Sequence, residues 1–220
     1  MPSKRNFLSI TDFSPQETAD LLRRACQMKA DRTGKPLEGK SVALLFEKPS
    51  LRTRASFEVG IKQMGGNCVY MGQEEVGLGV RESIADVARV LSGYVDCIVA
   101  RVFEHKSLEE LAAYADVPVV NALSDWEHPC QIMADMLTIQ EHQGDLSGLK
   151  LAFIGDGNNV ARSLCLGLPP MGVHFTIAGP QGYDLDEASL SLARQRAGDD
   201  SIQVLTTADP VVAVKDADIV

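Results

Sequence analysis

A chain of 220 residues, 45% of them hydrophobic, has room for two small α/β domains or one large one around a proper core. Its net charge of −9 argues against general nucleic-acid binding, which needs a basic surface, so any anion site has to be built locally. No stretch approaches the roughly 20 apolar residues of a membrane span, and Met1-Pro2-Ser3-Lys4-Arg5-Asn6 leads into no apolar signal core, so a cytoplasmic location is expected.

The first helix is signalled by Ser14-Pro15-Gln16-Glu17, a capping hydroxyl with proline at the first helical position and a glutamate closing the box, and it should run to about Ala30. After the Gly34-Lys35-Pro36 loop, residues 41–46 read as a buried strand. Phe57, Ile61 and Met64 carry helical spacing that ends at Gly65-Gly66, and a short strand is expected around Cys68-Val69-Tyr70. A glycine-rich loop then leads to an amphipathic helix with Ile84, Val87, Ala88 and Leu91 on its apolar stripe, followed by a strand at residues 97–100. Ser107 and Glu110 predict a second capping box, and residues 117–120 another strand. Residues 128–142 predict a longer helix. The loop at 143–148 is the best domain boundary, giving an expected first domain of 1–145 and a second of 146–220.

In the second domain, strands are expected at 150–154, 173–178 and 202–205, with helical segments near Ala161, Leu192 and Val212. Pro169-Pro170 should stop the first of these helices near Leu168, because an interior proline costs about 3 kcal/mol. Residues 216–220 look like the start of a fourth strand. Strands alternating with helices predict an α/β fold of two domains, each with a mostly parallel sheet flanked by helices, the second domain incomplete. The five cysteines are scattered and odd in number, so reduced thiols are expected rather than a disulfide frame or a zinc site.

Ser50-Leu51-Arg52-Thr53-Arg54 lies between a buried strand and a helix, where backbone N–H groups are free and the helix dipole is positive. Two hydroxyls and two guanidiniums there suit a phosphate, with Lys48 adding field. Spacing alone also allows Ser50 to be a plain cap and the arginines to be solvated. His128-Pro129-Cys130-Gln131 opens a helix near the C-terminal edge of the sheet, where ligands collect. A structural histidine and a packed Cys130 are the alternatives. Gly155-Asp156-Gly157-Asn158-Asn159 fits a dinucleotide turn poorly, lacking the third glycine and the ribose-binding acid.

The run from Phe46 through Arg54, with Ser56-Phe57-Glu58 downstream, resembles the carbamoyl-phosphate signature of the aspartate/ornithine carbamoyltransferase family. His128-Pro129-Cys130-Gln131 resembles the family's second motif, in the cysteine form of its ornithine enzymes, and Arg81-Glu82-Ser83 and Arg101 lie between. The resemblance implies that Ser50, Leu51, Arg52 and Thr53 bind the phosphate, that Arg101 and His128 reach the carbonyl oxygen, and that Gln131 holds the carbamoyl amide. Arg52, Arg101 and His128 would be the catalytic residues, and Asn159 would contact ornithine. An amine would attack the carbonyl carbon and phosphate would leave, with fixed donors meeting the charge that grows on oxygen. No cofactor or metal is implied.

Leu51 departs from the more common threonine, which matters little if the position contributes its backbone N–H. Gly77 replaces a glutamine that reaches a neighbouring subunit's site, and Arg81 replaces a common lysine, so Arg81 is either a cation acting across an interface or a solvated loop charge. The resemblance implies a homotrimer or a multiple of trimers, with carbamoyl phosphate and L-ornithine as ligands and neither nucleic acid nor membrane as partner. It also places two further substrate motifs, an aspartate with Ser-Met-Gly and a His-Cys-Leu-Pro stretch, beyond Val220. These 220 residues are therefore expected to hold a carbamoyl-phosphate half-site and an incomplete amine site. Rival readings are transfer to aspartate, putrescine or an acylated ornithine, a non-catalytic anion-binding module, and, disfavoured by the turn chemistry, a nucleotide-dependent oxidoreductase.

Overall fold

The structure, a computed structural model, describes residues 4–220; residues 1–3, on which the expected start of the first domain falls, lie outside the described residues. The chain divides into two compact units, residues 4–12 with Cys26–Asp125, and Phe13–Ala25 with Trp126–Val220. The helix α1 (Pro15–Ala30) opens on the capping box read from the sequence. Ser14 Oγ accepts from Glu17 N (3.2 Å), and Glu17 Oε2 accepts from Ser14 N (2.9 Å).

In the first unit β1 (Ser41–Phe46), α2 (Leu51–Gln63), β2 (Asn67–Gly72), α3 (Gln73–Val76), α4 (Ile84–Ser92), β3 (Cys97–Arg101), α5 (His105–Tyr114) and β4 (Val119–Leu123) follow in order. The strands form a parallel sheet, β2-β1-β3-β4. β1 sits inside it and is buried from Val42 to Phe46, which is why its sequence is an unbroken apolar run rather than an alternation. Successive side chains still take opposite faces. Ala43 and Leu45 join Val87 and Leu91 of α4 and Leu108 and Leu111 of α5, whereas Val42, Leu44 and Phe46 join Ile61 of α2.

Three local expectations are corrected. The helix expected to be capped by Ser107 begins at His105, because the carboxylate of Asp125 takes the His105 N–H at 2.7 Å and Ser124 Oγ lies 2.8 Å from His105 Nδ1. Ser107 is thereby placed in the first turn. The following strand is displaced from 117–120 to Val119–Leu123, where it pairs with β3. Part of the expected glycine-rich loop is helical, as α3, stopped by Gly77 at φ 53°.

The second unit contains α6 (Pro129–Gln143), β5 (Lys150–Ile154), α7 (Asn159–Gly167), β6 (His174–Ala178), α8 (Glu187–Ala197), β7 (Val204–Thr207) and α9 (Pro210–Val214). The expected boundary at 145/146 falls on the loop after α6, whereas the two compact units divide at 125/126, before that helix. α7 stops where Pro169-Pro170 requires, with Leu168 as its cap and a 3₁₀ turn at Pro169–Met171. The sheet is parallel, β5-β6-β7, and Ile219 bridges to Leu151 in parallel. His174 N bonds Leu149 O toward β6, whereas Ala152 N bonds Ile219 O and Ile219 N bonds Lys150 O. These groups alternate along β5, so Ile219 occupies its other edge and strand order reverses across β5. No helix among the described residues is long and apolar enough to cross a membrane.

Candidate active site

In the first unit the chain runs from β1 to β2 on one side and returns to β3 on the other, so strand order reverses between β1 and β3. Loops leaving the carboxyl ends of such strands diverge and leave a crevice for a ligand. Phe46 and Arg101, the last residues of β1 and β3, are paired in register. The loops beyond them are fastened together. Glu47 N donates to Arg101 O (2.9 Å), Phe103 N donates to Glu47 Oε2 (2.7 Å), and Lys48 Nζ lies 4.5 Å from the centre of the Phe103 ring.

Ser50 occupies the N-cap of α2 at φ −157°, ψ 110°, yet its hydroxyl makes no capping hydrogen bond, and the first turn carries no acidic residue. The opening N–H groups of a helix have no acceptor within it, and here the cap side chain supplies none. Leu51 is 85% exposed, which fits a residue whose useful group at this position is its backbone. The two arginines of the segment differ. Arg54 Nε donates to Glu58 Oε1 (2.7 Å) and its guanidinium lies 3.6 Å from the centre of the Tyr70 ring, whereas Arg52 is exposed and has no ion-pair partner among the described residues. The expectation of two guanidiniums available to one anion is corrected to one from this helix.

Arg101 supplies the other. Its Nη1 donates to Thr53 Oγ1 (3.2 Å), its buried Nε has no partner, and no carboxylate among the described residues pairs with it. Burial pulls its pKa below the usual arginine value, the effect of holding a cation away from water without a compensating anion. Ser50, Leu51, Arg52, Thr53 and Arg101 are thus gathered at one switch point. Arg81 stands apart on an exposed loop, with its N–H donating to Gly77 O. A Cβ on left-handed Gly77 would lie 2.8 Å from Arg81 Cβ, so the glycine and the arginine of this loop suit one another sterically.

In the second unit His128 is the N-cap of α6, with Pro129 pre-setting the first helical residue. Two adjacent residues of α7 hold the segment leading into it. Arg162 Nη1 donates to Trp126 O (3.0 Å), Ser163 Oγ donates to buried Glu127 Oε2 (3.2 Å), and His128 N donates to Ser163 Oγ (2.9 Å). Arg162 also stacks 3.7 Å from the Trp126 ring centre and pairs with Asp186. One turn into α6, exposed Gln131 donates from Nε2 to half-buried Asp135 Oδ1 (2.9 Å). Burial raises the Asp135 pKa, opposed by the Gln131 donor. Asn159 opens α7, directly after the cap Asn158, whose Oδ1 accepts from Val160 N and Ala161 N.

The glycines of residues 155–159 have a local reason. A Cβ on Gly157 would fall 2.5 Å from Leu185 N and 2.6 Å from Asp184 O, and one on Gly179 would fall 2.7 Å from Gly155 O. They let two loops of the chain approach each other, a packing role that requires no dinucleotide. Asp135, Arg162 and Ser163 were missed in the sequence, and Glu47 was read only as part of the run from Phe46 through Arg54. Only Asp135 carried a signal, four residues after Gln131 on one helix face. Among the described residues, no group of three or more His, Cys, Asp or Glu is placed to hold a metal ion.

The family model for the carbamoyl-phosphate-binding domain of aspartate/ornithine carbamoyltransferases matches residues 5–141, and that for the Asp/Orn-binding domain matches residues 147–220. The chain is similar, at 47% identity over 220 residues, to an ornithine carbamoyltransferase of Anoxybacillus flavithermus; the match covers 98% of this chain and 70% of the relative. The solved ornithine carbamoyltransferase of Pyrococcus furiosus superposes with a TM-score of 0.95 at 44% identity, covering 99% of this chain and 71% of that one. A solved N-acetyl-L-ornithine transcarbamylase gives 0.88 at 34%, with 97% and 74% covered. All three relatives are named for carbamoyl transfer. The crevice at the β1/β3 switch point therefore lies within the donor-domain match of a carbamoyltransferase, and the chain belongs to the aspartate/ornithine carbamoyltransferase family.

Proposed function

We propose that the chain transfers the carbamoyl group of carbamoyl phosphate to the side-chain amine of L-ornithine, giving L-citrulline and phosphate, as a step of arginine biosynthesis or of a urea-cycle type. The observation that carries this reading is the uncompensated donor set at the β1/β3 crevice. It comprises an α2 terminus whose cap hydroxyl does not cap, and a partly buried Arg101 with no carboxylate, joined through Thr53. A phosphate at the helix terminus satisfies the N–H groups and the dipole together.

In this reading residues 1–145 form the donor-binding domain and 146–220 belong to the amine-binding domain. Ser50, Leu51, Arg52 and Thr53 hold the phosphate. Arg101 and His128 donate to the carbonyl oxygen as negative charge grows there, Gln131 holds the carbamoyl amide, and Asn159 contacts the ornithine. The attacking amine forms a C–N bond as the C–O bond to phosphate breaks, the leaving phosphate takes the electron pair at the α2 terminus, and the proton shed by the amine nitrogen passes to the leaving phosphate. A cytoplasmic homotrimer, or a multiple of trimers, goes with this reading, with exposed Arg81 extending toward a neighbouring subunit.

Titration calorimetry of carbamoyl phosphate into the 220-residue chain tests the donor site. Binding is expected, and Arg101→Met should weaken it by about 1.5–3 kcal/mol, the scale of a hydrogen bond to a charged group. No binding by a folded wild-type chain sinks the reading. The acceptor is tested on the carbamoyl-phosphate-saturated chain with L-ornithine, L-aspartate, putrescine and an acylated ornithine. Tighter binding of any of the last three overturns ornithine.

A further inference from the structure

We infer that Asp135 is a specificity-determining positioning residue: by accepting from Gln131 Nε2 it fixes which end of the Gln131 amide faces the donor substrate. The inference rests on the reading of Gln131 as the residue that holds the carbamoyl amide. Gln131 and Asp135 are one helical turn apart on α6, and the hydrogen bond between them is 2.9 Å. Gln131 is exposed, so the remainder of its amide is accessible to a ligand.

A glutamine amide is ambivalent, with an oxygen that accepts and an NH₂ that donates, and on a free side chain the two ends exchange by rotation. An ionised carboxylate is not ambivalent, because it only accepts. Placed beside Gln131, Asp135 takes the NH₂ and leaves Oε1 as the group presented outward. A carbamoyl group ends in an NH₂, which donates to such an oxygen. A ligand with a carboxylate at the same position meets acceptor against acceptor. The pair thus selects an amide-ended phosphate ligand over an acid-ended one. The carboxylate is held half-buried against its solvation, consistent with a raised pKa that the Gln131 donor partly opposes.

Phosphonoacetamide and phosphonoacetate are suitable probes, stable and differing only in NH₂ against O⁻ at this end. Their dissociation constants are measured for wild type, Gln131→Ala, Asp135→Leu and the double variant, with circular-dichroism melting to verify that each is folded. Asp135→Asn provides a second, near-isosteric variant. Wild type is expected to prefer the amide. Gln131→Ala and Asp135→Leu should each lower the preference roughly tenfold, the scale of one hydrogen bond with its partner left unsatisfied. Asp135→Asn should give a smaller loss, and the double variant no further loss beyond either single one.

An unchanged preference in Asp135→Leu, alongside a collapse in Gln131→Ala, overturns the inference while leaving the reading of Gln131 intact. A further drop on adding Asp135→Leu to Gln131→Ala also overturns it, because Asp135 would then act as a bare charge. An unchanged preference in Gln131→Ala removes the role of Gln131 and this inference with it.

Discussion

Arg162→Met retains most of the aliphatic stem and removes only the guanidinium, which makes it a clean perturbation of the network behind His128. Four interactions disappear: donation to Trp126 O (3.0 Å), donation to Ser189 Oγ (3.1 Å), the pair with Asp186 (3.0 Å) and the stack on Trp126 (3.7 Å). Each neutral-acceptor hydrogen bond is worth about 1 kcal/mol net, and the stack about another 0.5–1. The ion pair is discounted because the Asp186 side chain is 38% exposed. The total expected loss is about 2–4 kcal/mol, read by urea unfolding with an unchanged slope.

Arg162→Lys should recover part of this, since it keeps the charge and loses the planar fork. The pH dependence has a definite sign. Burial alone would raise the Asp186 pKa, but the Ser189 backbone and hydroxyl donors and Arg162 together hold it below the ordinary 3.8. A depressed carboxylate pKa contributes stability that is present above the unfolded value and lost as pH falls through the folded one. The wild-type advantage over Arg162→Met should therefore be full at neutral pH and shrink below about pH 4. A loss under about 1 kcal/mol at pH 7, against a predicted sum several times larger, would refute the reasoning.

Three further outcomes are expected. Arg52→Ala should weaken carbamoyl phosphate binding at least tenfold, whereas Arg54→Ala, whose guanidinium serves Glu58 and Tyr70, should lower stability only slightly and leave binding near wild type; equal effects on binding would restore the two-arginine cradle. Gly157→Ala must displace backbone at 184–185 and should destabilise by about 2–3 kcal/mol in denaturant unfolding, so neutral behaviour contradicts the close approach drawn above. Burial pushes the Cys97 thiol up to about 11 and Cys165 up to about 12. Alkylation of the native protein near pH 8, followed by peptide mass analysis, should leave these two for last, and early modification of Cys165 counts against its burial.

Much of the fold was legible because its signals are local. The Ser14 capping box, the unbroken apolar run of β1 and the proline pair after α7 each state their structure within a few residues. Where a strand was suspected at 216–220 the structure has a single parallel bridge, Ile219 to Leu151 on the far edge of β5. What was misread depends on distant partners. The start of α5 is set by Asp125, 20 residues further along, and β4 is positioned by pairing with β3. Local propensity at Ser107 could not compete with a carboxylate already aimed at His105 N. The network of Arg162, Trp126 and Asp186 spans residues 126–186 and left no periodic trace.

The arginines show why the functional cradle was only half legible. By spacing alone Arg52 and Arg54 are equivalent and Arg101 merely follows a strand, and only the family resemblance singled out Arg52 and Arg101. In the structure Arg23, Arg54, Arg89, Arg162 and Arg194 each meet a carboxylate, and those pairs are structural. Exposed arginines without a partner are unremarkable, because water solvates them at little cost. Arg101 is different. It is partly buried, its Nε has no partner among the described residues, and its Nη1 donates to the hydroxyl of Thr53 at a helix start that itself lacks a side-chain cap bond. In a chain carrying nine more acidic than basic charges, leaving that cation without a carboxylate requires the nearby ones to be engaged elsewhere, as Glu47 is by Phe103 N and Glu58 by Arg54. In the proposed reading that engagement, more than the presence of arginine, marks the place where an anion is to be bound.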